Sequence, residues 1–127
     1  MNEKINILVI DDEPIVADAL MIVLSDSGYE VVIAMTGRDG LEKINRQRFD
    51  VTITDLCLPD MSGLEVLSSI RDKDPGSLII VITALCSPDI VAQSVSRGAI
   101  DVLSKPFFPS DVLGLLAKAL TNRDSVH

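Results

Sequence analysis

Five short runs rich in Val and Ile constrain this chain most: 5-INILVI-10, 30-EVVIA-34, 50-DVTIT-54, 78-LIIVI-82 and 101-DVLS-104. Most are unbroken rather than alternating in polarity, which is the pattern of parallel strands covered on both faces. The segments between them carry helical spacing and recognisable ends. Residues 14–27 open on Pro14 and stop before Gly28, with Val16, Leu20, Val23 and Leu24 on one face. Thr36 is placed to cap a helix carrying Leu41 and Ile44, and residues 63–73 present Leu64, Leu67 and Ile70. Ser87-Pro88-Asp89 combines a cap, a first-turn proline and an acid suited to the helix dipole, and this helix should end before Gly98. A last helix starts at Pro109 and shows Val112, Leu113, Leu116 and Leu120. Strand and helix thus alternate five times, an order that selects a doubly wound parallel α/β sheet.

A chain of 127 residues fits one domain, long enough to bury roughly two thirds of its unfolded surface. We expect that domain over residues 1–121, with 122–127 as a tail or linker stub. A net charge of −8, no Trp and only four aromatics argue against direct nucleic-acid contact through basic or stacking surfaces. No apolar run reaches the ~18 residues of a membrane span, and MNEKIN lacks the apolar core of a signal peptide. The expected location is therefore cytoplasmic, with no membrane contact, and Cys57 and Cys86 are expected as reduced, inert thiols.

Ligands of an open parallel sheet bind beyond the carboxyl ends of its strands. There the first strand ends in the adjacent acids Asp11 and Asp12, the third in Asp55, the fourth in Thr83-Ala84 and the fifth in Lys105-Pro106. Clustered carboxylates repel one another unless a proton or a hard cation neutralises them, and oxygen ligands of this kind suit Mg²⁺. A carboxylate beside such a metal can accept a phosphoryl group, while a lysine and a hydroxyl hold its oxygens. Glu13, Asp60, Pro59 and Gly63 read as solvated or turn residues.

In order and spacing, VIDDEP, TDLCLPDMSG, VITA and SKPF resemble the receiver domain of two-component response regulators along nearly the whole chain. That resemblance implies a flavodoxin-like fold: five parallel strands in the order 2-1-3-4-5 and five helices. It also implies a phosphorylation-dependent signalling switch. Asp55 would be the phosphoacceptor, loaded by a sensor histidine kinase or a phosphotransfer protein. Asp12, Asp55 and the backbone carbonyl of Cys57 would bind Mg²⁺ directly, with Asp11 acting largely through water. Thr83, the Ala84 amide and Lys105 would contact the phosphoryl oxygens, and the Lys105–Pro106 bond would be cis. Such a domain catalyses its own phosphorylation and dephosphorylation without being a conventional enzyme, and it passes the change to an output domain or partner protein. Two positions depart from the family's pattern: Val102, where an aromatic is usual, and Leu115, where one branch carries arginine.

Two other readings compete. A degenerate receiver, serving only as an interaction module, would lack a site residue, and none is missing. A Mg²⁺-dependent phosphatase of the haloacid dehalogenase type needs an Asp-x-Asp pair after the first strand, where this chain has Asp11 and Glu13.

Overall fold

The computed structural model describes residues 4–125. Strands β1 (Asn6–Ile10), β2 (Glu30–Ala34), β3 (Val51–Asp55), β4 (Leu78–Thr83) and β5 (Asp101–Ser104) alternate with helices α1 (Pro14–Asp26), α2 (Gly37–Arg46), α3 (Gly63–Lys73), α4 (Pro88–Ser96) and α5 (Pro109–Ser125). The strands are all parallel and ordered β2-β1-β3-β4-β5. This is the doubly wound five-stranded sheet expected from the alternation.

Each strand feeds both faces of the sheet. Leu8, Ile10, Ile79 and Val81 point to one side, where they meet Val66, Leu67 and Ile70 of α3 and the half-buried Leu41 and Ile44 of α2. Ile7, Val9, Val51, Ile53, Ile80 and Ile82 point to the other, where Leu20 and Leu24 of α1 and Val112 and Leu116 of α5 close over them. This two-sided burial explains the unbroken apolar runs of β1 and β4, while β3 alternates Val and Ile with the buried Thr52 and Thr54. On α1 the innermost residues are Ala17, Leu20 and Leu24, whereas Val23 is only half-buried.

The helix ends follow local chemistry. Thr36 accepts from the Asp39 amide at 3.0 Å, and Ser87 accepts from the Ile90 amide at 3.2 Å. Gly28 and Gly98, just past α1 and α4, take φ of 95° and 108°, the left-handed turn that glycine adopts without steric cost. α5 runs on to Ser125, so residues 122–125 are helical, and the last two residues of the expected 122–127 tail or linker stub lie outside the described region.

α4 is the least anchored helix. Its one fully buried residue is Ser94, whose hydroxyl has no hydrogen-bond partner. Two arginines hold its far end to α3: Arg97 donates to the Ser68 hydroxyl at 3.1 Å, and Arg71 donates to the Ser96 carbonyl at 2.8 Å. A helix fixed by few apolar contacts and by surface polar ones belongs to the low-stability part of a fold. Among the described residues no helix is long and apolar enough to cross a membrane.

Candidate functional site

The register of the sheet assembles the site. Ile10 pairs with Thr54, so the residues that follow, Asp11 and Asp55, stand side by side at the carboxyl end of β1 and β3. The Asp11 amide continues the ladder to the Ala34 carbonyl at 3.0 Å. On the other side Thr83 pairs with Ser104, and the Lys105 amide donates to the Thr83 carbonyl at 2.8 Å. Four strand ends thereby deliver Asp11, Asp12, Asp55, Thr83 and Lys105 to one rim.

Asp11, Asp12 and Asp55 each place a carboxylate oxygen within 4.8 Å of the others'. Asp11 and Asp55 are buried and Asp12 is exposed. Asp55 Oδ1 accepts from the Cys57 amide at 3.0 Å, and Asp11 Oδ1 accepts from the Glu13 amide at 2.8 Å. These bonds aim the remaining oxygens at a common point. Lys105 Nζ reaches it, 2.7 Å from Asp55 Oδ2 and 3.0 Å from Asp11 Oδ2, and also contacts Glu13 Oε1.

The charges shift one another. Burial pushes the Asp11 carboxyl above its ordinary value, against the opposing pull of the Glu13 amide and of Lys105. Burial alone would lower the Lys105 ammonium, but hydrogen bonds to Asp55 and Glu13 and the nearby charge of Asp11 outweigh it and hold the group above its ordinary value. The lysine is therefore a fixed positive charge throughout the physiological range.

One ammonium leaves the cluster with an excess of negative charge. Asp11 Oδ2 is buried and accepts no hydrogen bond, although Lys105 neutralises part of its charge. A hard divalent cation fits such a set: three carboxylates, an unsatisfied oxygen and one open, exposed side at Asp12.

Thr83 and Ala84 share the rim but form no hydrogen bond with the carboxylates. Thr83 is buried, and its Oγ1 accepts from the Leu85 amide at 3.1 Å, which leaves the hydroxyl proton free to donate elsewhere. Cys57 and Cys86 are both exposed free thiols. The Lys105–Pro106 peptide is cis. Val102 is half-buried against the α3 side of the core.

Three residues that read as solvated or as turn formers have structural partners. Asp60 takes the α2 N-terminus, its two oxygens accepting from the Gly37 and Arg38 amides at 2.8 and 2.9 Å. The Arg38 and then the Gly37 amide hold its carboxyl below the usual carboxylate range. Glu13 contacts Lys105. Gly63 closes the loop after Asp55: its amide donates to the Leu56 carbonyl at 2.8 Å, and a Cβ there would sit 2.5 Å from Leu56 Cα and collide with the Asp55 carbonyl oxygen. Gly63→Ala must therefore displace backbone, and it is expected to lower stability by about 1–3 kcal/mol. Denaturant titration checks this; an unchanged midpoint would show that the loop gives way freely.

Comparison with known proteins agrees with this geometry. Residues 7–117 match the family model of the response regulator receiver domain. A response regulator receiver domain protein (CheY-like) from Methanospirillum hungatei superposes with a TM-score of 0.94 at 32% identity, covering 98% of this chain and all of that one. The probable transcriptional regulatory protein TcrX of Mycobacterium tuberculosis is 34% identical over 98% of this chain and 53% of its own length. KdpE, a transcriptional regulatory protein from the same species, is 40% identical over 90% of this chain and 50% of its own length. The chain thus spans about half the length of these two relatives. Matched over most of its length by sequence and by fold, this chain belongs to the family of response regulator receiver domains of two-component systems.

Proposed function

We propose that the chain is a phosphorylation switch in which Asp55 takes a phosphoryl group from the phosphohistidine of a sensor histidine kinase or phosphotransfer protein. The N–P bond of the donor breaks as an Asp55 Oδ–P bond forms, and the imidazole leaves. The observation that carries this reading is the position of Lys105 Nζ, 2.7 Å from Asp55 Oδ2 and within ion-pair reach of Asp11, on a rim rich in carboxylates.

Asp55 is oriented by the Cys57 amide through one oxygen, and the other, paired with Lys105, faces the rim and is the one placed to attack. Lys105 stands where negative charge builds on the transferred group, and Thr83 and the Ala84 amide supply donors from the end of β4. Asp12, Asp55 and the Cys57 carbonyl would hold Mg²⁺, with Asp11 acting through water; the ion supplies charge neutralisation for the phosphoryl oxygens. A new charge on Asp55 draws the Thr83 proton toward it and away from the present loop arrangement. The loop of residues 84–87 leads into α4, the least anchored helix, so the change passes to an output domain or partner protein through that surface. Val102 has little side-chain area to relocate, which leaves the Thr83 loop and α4 as the moving parts.

Incubation with a small phosphodonor and Mg²⁺, read by intact mass, tests the reading. One labile phosphoryl group per chain is expected. Steady release of phosphate from added substrates would favour a phosphatase instead, and an unchanged mass would favour an interaction module.

Hydrolysis of the phosphoryl-Asp55 bond should be slow. Cys57, two residues after Asp55, offers a weak hydrogen-bonding group to an attacking water, and Leu85 offers none. Cys57→Asn or Leu85→Glu is expected to speed phosphate loss roughly tenfold, equivalent to ~1–2 kcal/mol of barrier. Equal lifetimes in wild type and both variants would remove water access from the argument.

A further inference from the structure

Glu13 occupies the N-cap of α1, with extended backbone at φ −93° and ψ 109°. An acid at that position ordinarily turns onto its own helix and accepts an amide of the first turn. Here it makes no such bond. Its amide is tied to Asp11 Oδ1, and its carboxylate reaches across to Lys105 Nζ, 92 residues on. Lys105 is thus shared by three acids, Asp11, Glu13 and Asp55, while its own side chain is only 10% exposed.

The three acids are not equivalent. Asp11 and Asp55 belong to the carboxylate cluster, so a bound cation would engage them and loosen their hold on the lysine. Glu13 is outside that cluster, and its hold persists. An incoming phosphoryl group must then compete with Glu13 for the ammonium protons and approach a like charge.

We propose that Glu13 is a positioning residue that restrains Lys105 and thereby slows the arrival of a phosphoryl group at Asp55. The proposal rests on the phosphorylation reading above and deepens it. An ion pair with one half-exposed partner is weak, so neutralising Glu13 should raise the rate about two- to five-fold. The side chain is 56% exposed and caps nothing, so its replacement leaves the fold in place.

The test uses the full chain, saturating Mg²⁺ and acetyl phosphate as donor. The donor's O–P bond breaks, the Asp55 Oδ–P bond forms and acetate leaves. Glu13→Gln is expected to label two- to five-fold faster than wild type at low donor concentration, with Mg²⁺ affinity unchanged within about a factor of two. Glu13→Asp keeps the charge but shortens the reach, and it should also be faster. In metal-free protein labelled with ¹⁵N-lysine, the Lys105 ammonium resonance should move in both variants. Equal labelling of wild type and Glu13→Gln would overturn the restraint and leave the phosphorylation reading intact. So would an unmoved Lys105 resonance, or a Glu13→Asp rate equal to wild type while Glu13→Gln is faster. Absence of labelling in wild type and variants alike would overturn both.

Discussion

Asp55→Asn is expected to abolish phosphoryl labelling, with loss of all signal above background in intact mass after incubation with a small phosphodonor and Mg²⁺. The amide carbonyl of asparagine can still accept from the Cys57 amide, so the 3.0 Å bond that orients the side chain is retained. The change removes the nucleophilic oxygen and the negative charge that Lys105 pairs with at 2.7 Å. Asp11 is committed to the Glu13 amide and to Lys105. Asp12 is exposed and lacks the ammonium at hydrogen-bonding distance, so neither acid inherits the role. The variant should fold, since a buried charge is replaced by a neutral isostere and cluster repulsion falls. A near-native circular dichroism spectrum with no label is the expected pair of results. Full labelling of the asparagine variant would take Asp55 out of the role.

The second large effect concerns the cation. Asp12→Ala should weaken Mg²⁺ binding at least tenfold, since changes even to the outer partners of metal ligands cost roughly 10–100-fold. The affinity should also fall with pH. Burial raises the Asp11 carboxyl, so as pH falls a proton occupies that group before an ordinary carboxyl would take one, and proton and cation compete. The sign for folding runs the other way without metal. A carboxyl raised in the native state favours folding at low pH, and this contribution is lost as pH rises from the ordinary value through the raised one. Bound Mg²⁺ offsets that loss by stabilising the ionised form. Thermal unfolding should therefore show a larger Mg²⁺-induced rise in Tm at neutral pH than at mildly acidic pH. Isothermal titration of wild type and Asp12→Ala measures the first effect; equal affinities would exclude Asp12 from the metal shell.

The amino-acid sequence by itself determines whatever depends on near neighbours in the chain. The unbroken run 78-LIIVI-82 announces a strand covered on both faces, and Ser87-Pro88-Asp89 announces a helix start, because each signal is spent within one turn or one strand. The candidate site was legible for a related reason. Parallel strands end on the same edge, so Asp11, Asp12, Asp55, Thr83 and Lys105 share a rim by topology alone, before any side chain is placed. The tertiary structure decided which partner each polar group found. Asp60 looks solvated in sequence, yet it takes the amides of Gly37 and Arg38, 23 and 22 residues earlier. Glu13 likewise looks solvated in sequence and instead holds a lysine 92 residues away. Gly63 looks like a turn residue, and only the packed loop shows that a Cβ would strike the backbone of Asp55 and Leu56. Ala17, not Val23, joins Leu20 and Leu24 as the buried residues of α1, because packing of the helix against its neighbours chooses among apolar residues that periodicity treats alike. Backbone hydrogen bonds and apolar periodicity are local and repeat, so sequence encodes them directly. Side-chain ion pairs and close approaches depend on distances between elements, and those distances exist only once the sheet has closed its register.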